Sequence, residues 1–200
     1  IKQESLGVLE NPTHKVLSIR SGIYTKKNVK ANFIHYLPFG SKLHVKNIDN
    51  HWAEINLSNK HSHQTGYVPS KDIIKINEKV KDWVSIAEQF VGTPYRWGGR
   101  DSIGLDCSAL VQLSYEFYGE VIPRNTKDQV EIKKEIIEDL QNLKRGYVVF
   151  WDGHVGIMVD NLKCLHSNAF HMKTIIEPLD DIIKRSGGIS KITKILNFNC

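Results

Sequence analysis

The residues of this 200-residue chain best suited to covalent chemistry are one cysteine at the end of a glycine-rich loop and two histidines well downstream of it. Cys107 closes the stretch T-P-Y-R-W-G-G-R-D-S-I-G-L-D-C-S-A-L-V from Thr93 to Val111. Gly98, Gly99 and Gly104 let that loop turn tightly before Leu110, Val111, Ser114 and Phe117 take up helical spacing. Asp106 is suited to cap the helix, which puts Cys107 in its first turn, where unpaired N–H groups and the positive end of the helix dipole favour a thiolate. A small buried hydrophobe is the other reading of a lone cysteine, and the loop alone does not decide between them. The histidines tip the balance. Tyr147–Trp151 is a short apolar run, Asp152-Gly153 is a turn dipeptide, and H-V-G-I-M-V from His154 sets Val155, Ile157 and Val159 on the face opposite to His154. A second turn around Asp160-Asn161 leads into residues 163–169, and His154 and His166 are each six residues from Asp160. A hairpin centred there sets the two rings directly opposite each other on one face. Cys107 as nucleophile, His154 as base and His166 as orienting group is the arrangement of a cysteine hydrolase.

The other reactive residue types carry less. Cys107, Cys164 and Cys200 include no C-x-x-C pair, so neither a disulfide framework nor a cysteine zinc site is suggested. Cys164 shares a strand face with His166, as site neighbour or as filler, and filler is the favoured reading. His61-x-His63 sits in a polar stretch without a nearby carboxylate or cysteine and reads as a solvated loop. Arg124 suits either a substrate carboxylate or a local ion pair, the second preferred. No metal site and no cofactor is expected.

T-P-Y-R-W-G-G, L-D-C-S-A-L-V-Q, V-I-P-R-N-T-x-x-Q and H-V-G-I-M, followed by L-H-S, closely resemble the NlpC-type peptidoglycan endopeptidases, a papain-like cysteine peptidase clan. The resemblance covers roughly Val80 to Phe198. It implies Cys107 as nucleophile, His154 as general base and acid, and His166 as the third polar residue. It further implies that Tyr95 assists the oxyanion and that Asp106 and Ser108 help to hold a γ-D-glutamyl unit. The substrates it implies are peptidoglycan stem peptides or murein fragments, cleaved between γ-D-glutamate and the following diamino acid. The chain departs from the family pattern at Ala109, at Lys144 to Tyr147 and at Ser167, none of them a triad position. L-P-F-G-S-K-L-H-V, H-W-A-E-I and G-Y-V-P resemble bacterial SH3-like domains over roughly residues 14 to 76, as a substrate gate, a wall-binding module or a packed spacer. Acyl transfer to an amine or lipid, and a catalytically idle wall-binding protein, are the competing readings.

The elements that must position these residues follow from periodicity. Short strand-like runs at 16–24, 42–47, 52–57 and 66–69 argue for a small antiparallel barrel after an irregular lead-in at 1–14. A polar linker at 75–79 precedes an apolar helical stripe from Val80 to Val91, and Gly119 ends the Cys107 helix. Thr126-x-x-Gln129 has the form of a capping box. Beyond the histidine strands come the stretch 173–177, a short helix at 179–185, a Gly187-Gly188 break and a β-rich run at 189–196. The expected fold class is α+β, a papain-like catalytic domain of helices on an antiparallel sheet at 77–200, preceded by a small all-β SH3-like barrel at 1–76. The composition, 40% hydrophobic and 24% charged, is that of a globular domain, and no run approaches the roughly 18 apolar residues of a membrane span. The net charge of +5 is scattered without interleaved aromatic residues, which argues against nucleic acid. Ile1 to Glu10 lacks the pattern of a signal peptide, and residue 1 is not methionine, so removal of a leader is the periplasmic or secreted alternative; the resemblance, whose single-barrel members trim short wall peptides, implies a cytoplasmic role in recycling them. Oligomeric state is left open.

Overall fold

The structure, a computed structural model, describes residues 11–57 and 65–199. His61, His63, Cys200 and most of the lead-in lie outside the described residues. The chain forms two compact units, Ile1–Glu78 and Lys79–Cys200.

The strands described in the first unit are β1 (His14–Val16), β2 (Arg20–Tyr24), β3 (Phe33–Pro38), β4 (Lys42–Leu43), β5 (Val45–Ile48), β6 (Trp52–Asn56), β7 (Thr65–Pro69) and β8 (Ile73–Lys75). They pair antiparallel in two sheets, ordered β3-β2-β7-β6-β5 and β4-β1-β8. β6 and β7 bury every second residue, and Ala53, Ile55 and Val68 close on Val16, Ile23, Leu43 and Ile73. The run expected at 16–24 is two strands, because the Asp72 carbonyl accepts the N–H groups of both Leu17 and Ser18 and bends the chain there. The run expected at 42–47 is likewise split at His44 between the two sheets. β3 escapes sequence reading because it is an edge strand whose burial does not alternate and which ends on Pro38.

The second unit holds α1 (Trp83–Glu88), a short ribbon of β9 (Arg100–Asp101) and β10 (Gly104–Leu105), α2 (Cys107–Glu116) and α3 (Thr126–Gln129). These are followed by β11 (Tyr147–Trp151), β12 (His154–Met158), β13 (Lys163–Asn168), β14 (Lys173–Pro178), α4 (Leu179–Ser186) and β15 (Ile192–Asn197). The last five strands make one antiparallel sheet in the order β14-β13-β12-β11-β15. Every residue of β11 is buried, so the sheet is covered on both faces. On one face Tyr147, Val149, Trp151, Met158, Cys164 and Ile195 pack with Leu179 and Ile182 of α4. Trp83 of α1 meets the Tyr115 ring of α2 edge-on at 5.2 Å, and Tyr115 meets Phe198 at 4.9 Å.

Two helices differ from their sequence patterns. α1 starts later than its apolar stripe because the Asp82 carboxylate accepts the N–H groups of Val84 and Ser85 and sets the first turn there. Arg145, just before β11, bridges Asp82 and Glu88 and ties both ends of that helix to the sheet. Thr126 and Gln129 do not form a capping box: Asn125 is the cap position, and the buried Gln129 amide donates to the carbonyls of Ser108 and Pro123. That leaves the Thr126 hydroxyl beside the Cys107 sulfur at 3.8 Å.

The β12–β13 register also corrects the expected pairing. Ile157 pairs with Leu165 and Met158 with Cys164, so the hairpin centres on Asn161, and extending the register sets His166 opposite Gly156. Asp160 accounts for the shift, since its carboxylate accepts the N–H groups of both Leu162 and Lys163 and holds a three-residue loop. The two histidines are therefore diagonal neighbours across the strands, still on one face. Gly156 is required there: a Cβ would collide with the buried Cys164 sulfur and stand 3.5 Å from the His166 Cβ. Gly156→Ala should lower unfolding stability by about 1–3 kcal/mol in a denaturant titration, and adding Cys164→Ala should recover part of that loss. Equal stability of Gly156→Ala and wild type would contradict this packing.

Candidate active site

Cys107 is the first residue of α2 and is 7% exposed. Its thiol lies among the Thr126 hydroxyl and the backbone N–H groups of Val155 and Ser108. Val155 follows His154 on β12, so the helix start is seated against the strand that carries the candidate base. The expectation of a thiolate favoured by the helix start is not met. Burial pushes the Cys107 thiol up, and this outweighs the hydrogen bonds from Thr126, Val155 and Ser108, so the resting group is the protonated thiol. A base must take its proton.

The histidine pair is the candidate. His154 Nε2 lies 2.8 Å from His166 Nδ1, with ring centroids 5.1 Å apart. With Nε2 engaged, Nδ1 is the remaining nitrogen of His154. Burial pushes His154 down to about 3, with the neighbouring His166 and Arg185 adding to the effect, so the ring is neutral at physiological pH. His166 is 1% exposed, and burial lowers it too, against the opposing pull of Glu177. The sequence did not point to that carboxylate. Glu177 Oε1 is 2.7 Å from His166 Nε2, and Asn168 Nδ2 is 3.1 Å from the same nitrogen. The available signal was positional only, since Glu177 lies in the strand that follows the histidine hairpin and pairs with Cys164, which shares the His166 face.

A second network holds the cysteine loop. The Asp106 carboxylate caps α2 by accepting the Ala109 N–H at 2.9 Å, accepts the Gly98 N–H at 2.9 Å, and is gripped by both terminal nitrogens of Arg124 at 2.9 and 2.7 Å. Ser108 Oγ accepts from Arg124 at 2.9 Å, and Arg124 also reaches the Gly99 carbonyl. Arg124 thus makes the local ion pair, and Asp106 organises the loop through its own chain's donors. Gly99 is there for closeness, since a Cβ would run into the Gly104 carbonyl. Tyr95, Trp97, Asp106, Cys107, Ser108, Arg124 and Thr126 line one groove of ≈ 590 Å³. Burial, with the Asp106 charge adding to it, raises Tyr95, so its hydroxyl keeps its proton in the groove that Cys107 also lines. Cys164 is fully buried in the sheet core, with its thiol pushed above the ordinary range by burial. Among the described residues no group of three or more His, Cys, Asp and Glu side chains is placed to hold a metal, and no helix is long and apolar enough to cross a membrane.

Burial opposes ionisation of Asp106, but Arg124 and the Ala109 and Gly98 N–H groups outweigh it and hold the carboxyl below its ordinary range. A depressed folded-state value stabilises the fold above the unfolded carboxylate range, near pH ~4, and that contribution is lost as pH falls through the folded value. Arg124→Met should cost about 1–3 kcal/mol at pH 7, a figure reduced from the fully buried case because Arg124 is 29% exposed. It should also flatten the acid limb of a stability-versus-pH curve. An unchanged acid limb would contradict the assignment.

Comparison with known proteins gives this arrangement a place. Residues 92–185 match the family model described as NlpC/P60 family. A probable endopeptidase NlpC homolog from Haemophilus influenzae is 35% identical over 98 residues, covering 48% of this chain and 52% of that protein. A gamma-D-glutamyl-L-lysine dipeptidyl-peptidase from Bacillus subtilis is 30% identical over 112 residues, covering 50% of this chain and 37% of that protein. The chain thus spans about half the length, or less, of these curated relatives. The crystal structure of an NlpC/P60 family protein from Bacillus cereus shares the fold, with a TM-score of 0.75 at 20% identity, covering 94% of this chain and 64% of the other. The cysteine loop, the histidine hairpin and the strand bearing Glu177 all fall within residues 92–185, the stretch that matches the NlpC/P60 family model.

Proposed function

We propose that this chain is a cysteine peptidase of peptidoglycan stem peptides, with Cys107, His154 and His166 as its catalytic groups. The observation that carries the reading is a buried, protonated thiol at a helix start, backed by a strand whose first residue is a neutral histidine held by a second histidine at 2.8 Å. In the first step His154 Nδ1 takes the Cys107 proton as the sulfur attacks the amide carbonyl carbon. The tetrahedral intermediate collapses when the C–N bond breaks and the amine leaves with the proton from His154. Water then gives its proton to His154 and attacks the thioester carbonyl, and the thiol is released with that proton. Tyr95 and the backbone N–H groups at the start of α2 are the proposed donors to the oxyanion, worth roughly 3–4 kcal/mol for one good donor.

The bond we propose is that between γ-D-glutamate and the following diamino acid. The name of the Bacillus subtilis relative supports it, as does the presence of Tyr95, Asp106 and Ser108 along one groove, in which we propose that the γ-D-glutamyl unit sits. We further propose that the first unit is an SH3-like module, a reading supported by its short antiparallel strands and its L-P-F-G, H-W-A-E-I and G-Y-V-P patterns.

The test is cleavage of L-alanyl-γ-D-glutamyl-diamino acid peptides, alone, N-acetylated and sugar-linked, followed by product mass spectrometry. Release of the diamino acid fragment is expected, and Cys107→Ala should reduce turnover by at least about 10³-fold with an unchanged melting profile. Turnover of Cys107→Ala at the wild-type rate, or cleavage at a different bond, would overturn the corresponding part of the reading.

A further inference from the structure

The hydrogen-bonded row does not end at His166. Glu177 on β14 presents Oε1 to His166 Nε2 at 2.7 Å and Oε2 to His171 Nε2 at 3.3 Å. Arg185 on α4 clasps the same carboxylate with both terminal nitrogens, one of them 3.2 Å from Oε2. The His166 side chain is 2% exposed and that of Glu177 is 11% exposed. Burial raises Glu177, but Arg185, His166 and His171 together bring it below the usual carboxylate range, so it is ionised at neutral pH.

An ionised carboxylate only accepts hydrogen bonds. His166 Nε2 must therefore carry a hydrogen, and because the neutral ring has one, His166 Nδ1 is a bare acceptor. His154 Nε2, 2.8 Å away, must then be the N–H donor, which leaves His154 Nδ1 with a free lone pair. The opposite assignment would put a hydrogen on His166 Nδ1 and on His154 Nδ1, and the latter could accept nothing. Asn168 does not reverse the choice. Its Oδ1 is taken by the His171 N–H at 2.8 Å, so its NH₂ faces His166 Nε2 as a competing donor at 3.1 Å, but the ionised Glu177 carboxylate is nearer at 2.7 Å and a charge-assisted bond to it is the stronger, so Nε2 keeps its hydrogen.

We propose that Glu177, fixed by Arg185, is a positioning residue that dictates the tautomer of both imidazoles and thereby keeps His154 Nδ1 free to take the Cys107 proton. This rests on the peptidase reading for its functional consequence, but not for its structural content. Glu177 is not among the residues lining the Cys107 groove and acts through two rings in series.

The test has three readouts. In the full chain labelled with ¹⁵N-histidine, long-range ¹H–¹⁵N correlation spectra at neutral pH should show His166 and His154 both protonated at Nε2 and bare at Nδ1. In Glu177→Leu, which has no acceptor, His166 should lose that single tautomer. The kcat on the stem peptide should fall by about 10- to 100-fold with KM within about twofold, in line with losses seen for groups that orient a working imidazole. Alkylation of Cys107 by iodoacetamide, followed at that site by peptide mass spectrometry, should slow in proportion. Glu177→Gln, which keeps an accepting oxygen, should recover most of the rate, whereas a purely structural role would show as a melting shift without a tautomer change. A wild-type spectrum with His166 protonated at Nδ1, or a folded Glu177→Leu protein with wild-type tautomers and kcat, would overturn the proposal. If tautomers and alkylation behave as expected while no stem peptide is cleaved, the peptidase reading falls and the positioning role stands. Cleavage with the opposite tautomers removes the positioning role alone.

Discussion

A 2.8 Å hydrogen bond between a buried and a half-buried imidazole, on one face of an antiparallel sheet, is the constraint around which the second unit is arranged. Neither ring is held by the backbone alone. The hairpin of β12 and β13 offers them as diagonal neighbours, and Gly156 leaves the space in which His166 and Cys164 lie side by side. Packing in the sheet desolvates the pair, and this favours the neutral form of both rings. Two neutral imidazoles in contact must agree on which donates, so the direction of that hydrogen bond carries chemical information that the coordinates of the heavy atoms do not by themselves contain.

The cysteine arrives by a separate route. Asp106 gathers the start of α2, the Gly98 backbone and Arg124 into one ionised, largely buried cluster, and this fixes the helix start independently of the histidine sheet. The two supports meet where the Val155 N–H points at the sulfur. Such a division suits the proposed nucleophile, a thiol at rest: the helix fixes where the sulfur is, and in the proposed mechanism the sheet sets which nitrogen takes its proton. The helix dipole, which would otherwise favour a thiolate, is outweighed by burial at this site.

Much of this was legible in the amino-acid order because it is local. Asp106 precedes Cys107 directly, and the H-V-G-I-M alternation gives the face of His154 without reference to the fold. The register was legible only to within two residues, because the side-chain interactions of Asp160 that lengthen the loop have no fixed sequence signature. Thr126 and Gln129 had the form of a local cap, but Gln129 is spent on the distant Ser108 carbonyl, a tertiary demand that overrides the motif. Glu177 and Arg185 could not be read at all. Their relation to His166 depends on strand order and on where α4 crosses the sheet, and an exposed ion pair would have given the same residues at the same spacing.

The central claim is that the Cys107 sulfur forms a covalent bond to the acyl half of the substrate. Acid-quenching the full chain during turnover of L-alanyl-γ-D-glutamyl-diamino acid peptide, followed by peptide mass mapping, tests it most directly. The account predicts an L-alanyl-γ-D-glutamyl thioester on the peptide containing Cys107. Continued turnover of the same peptide after complete alkylation of Cys107 would contradict it.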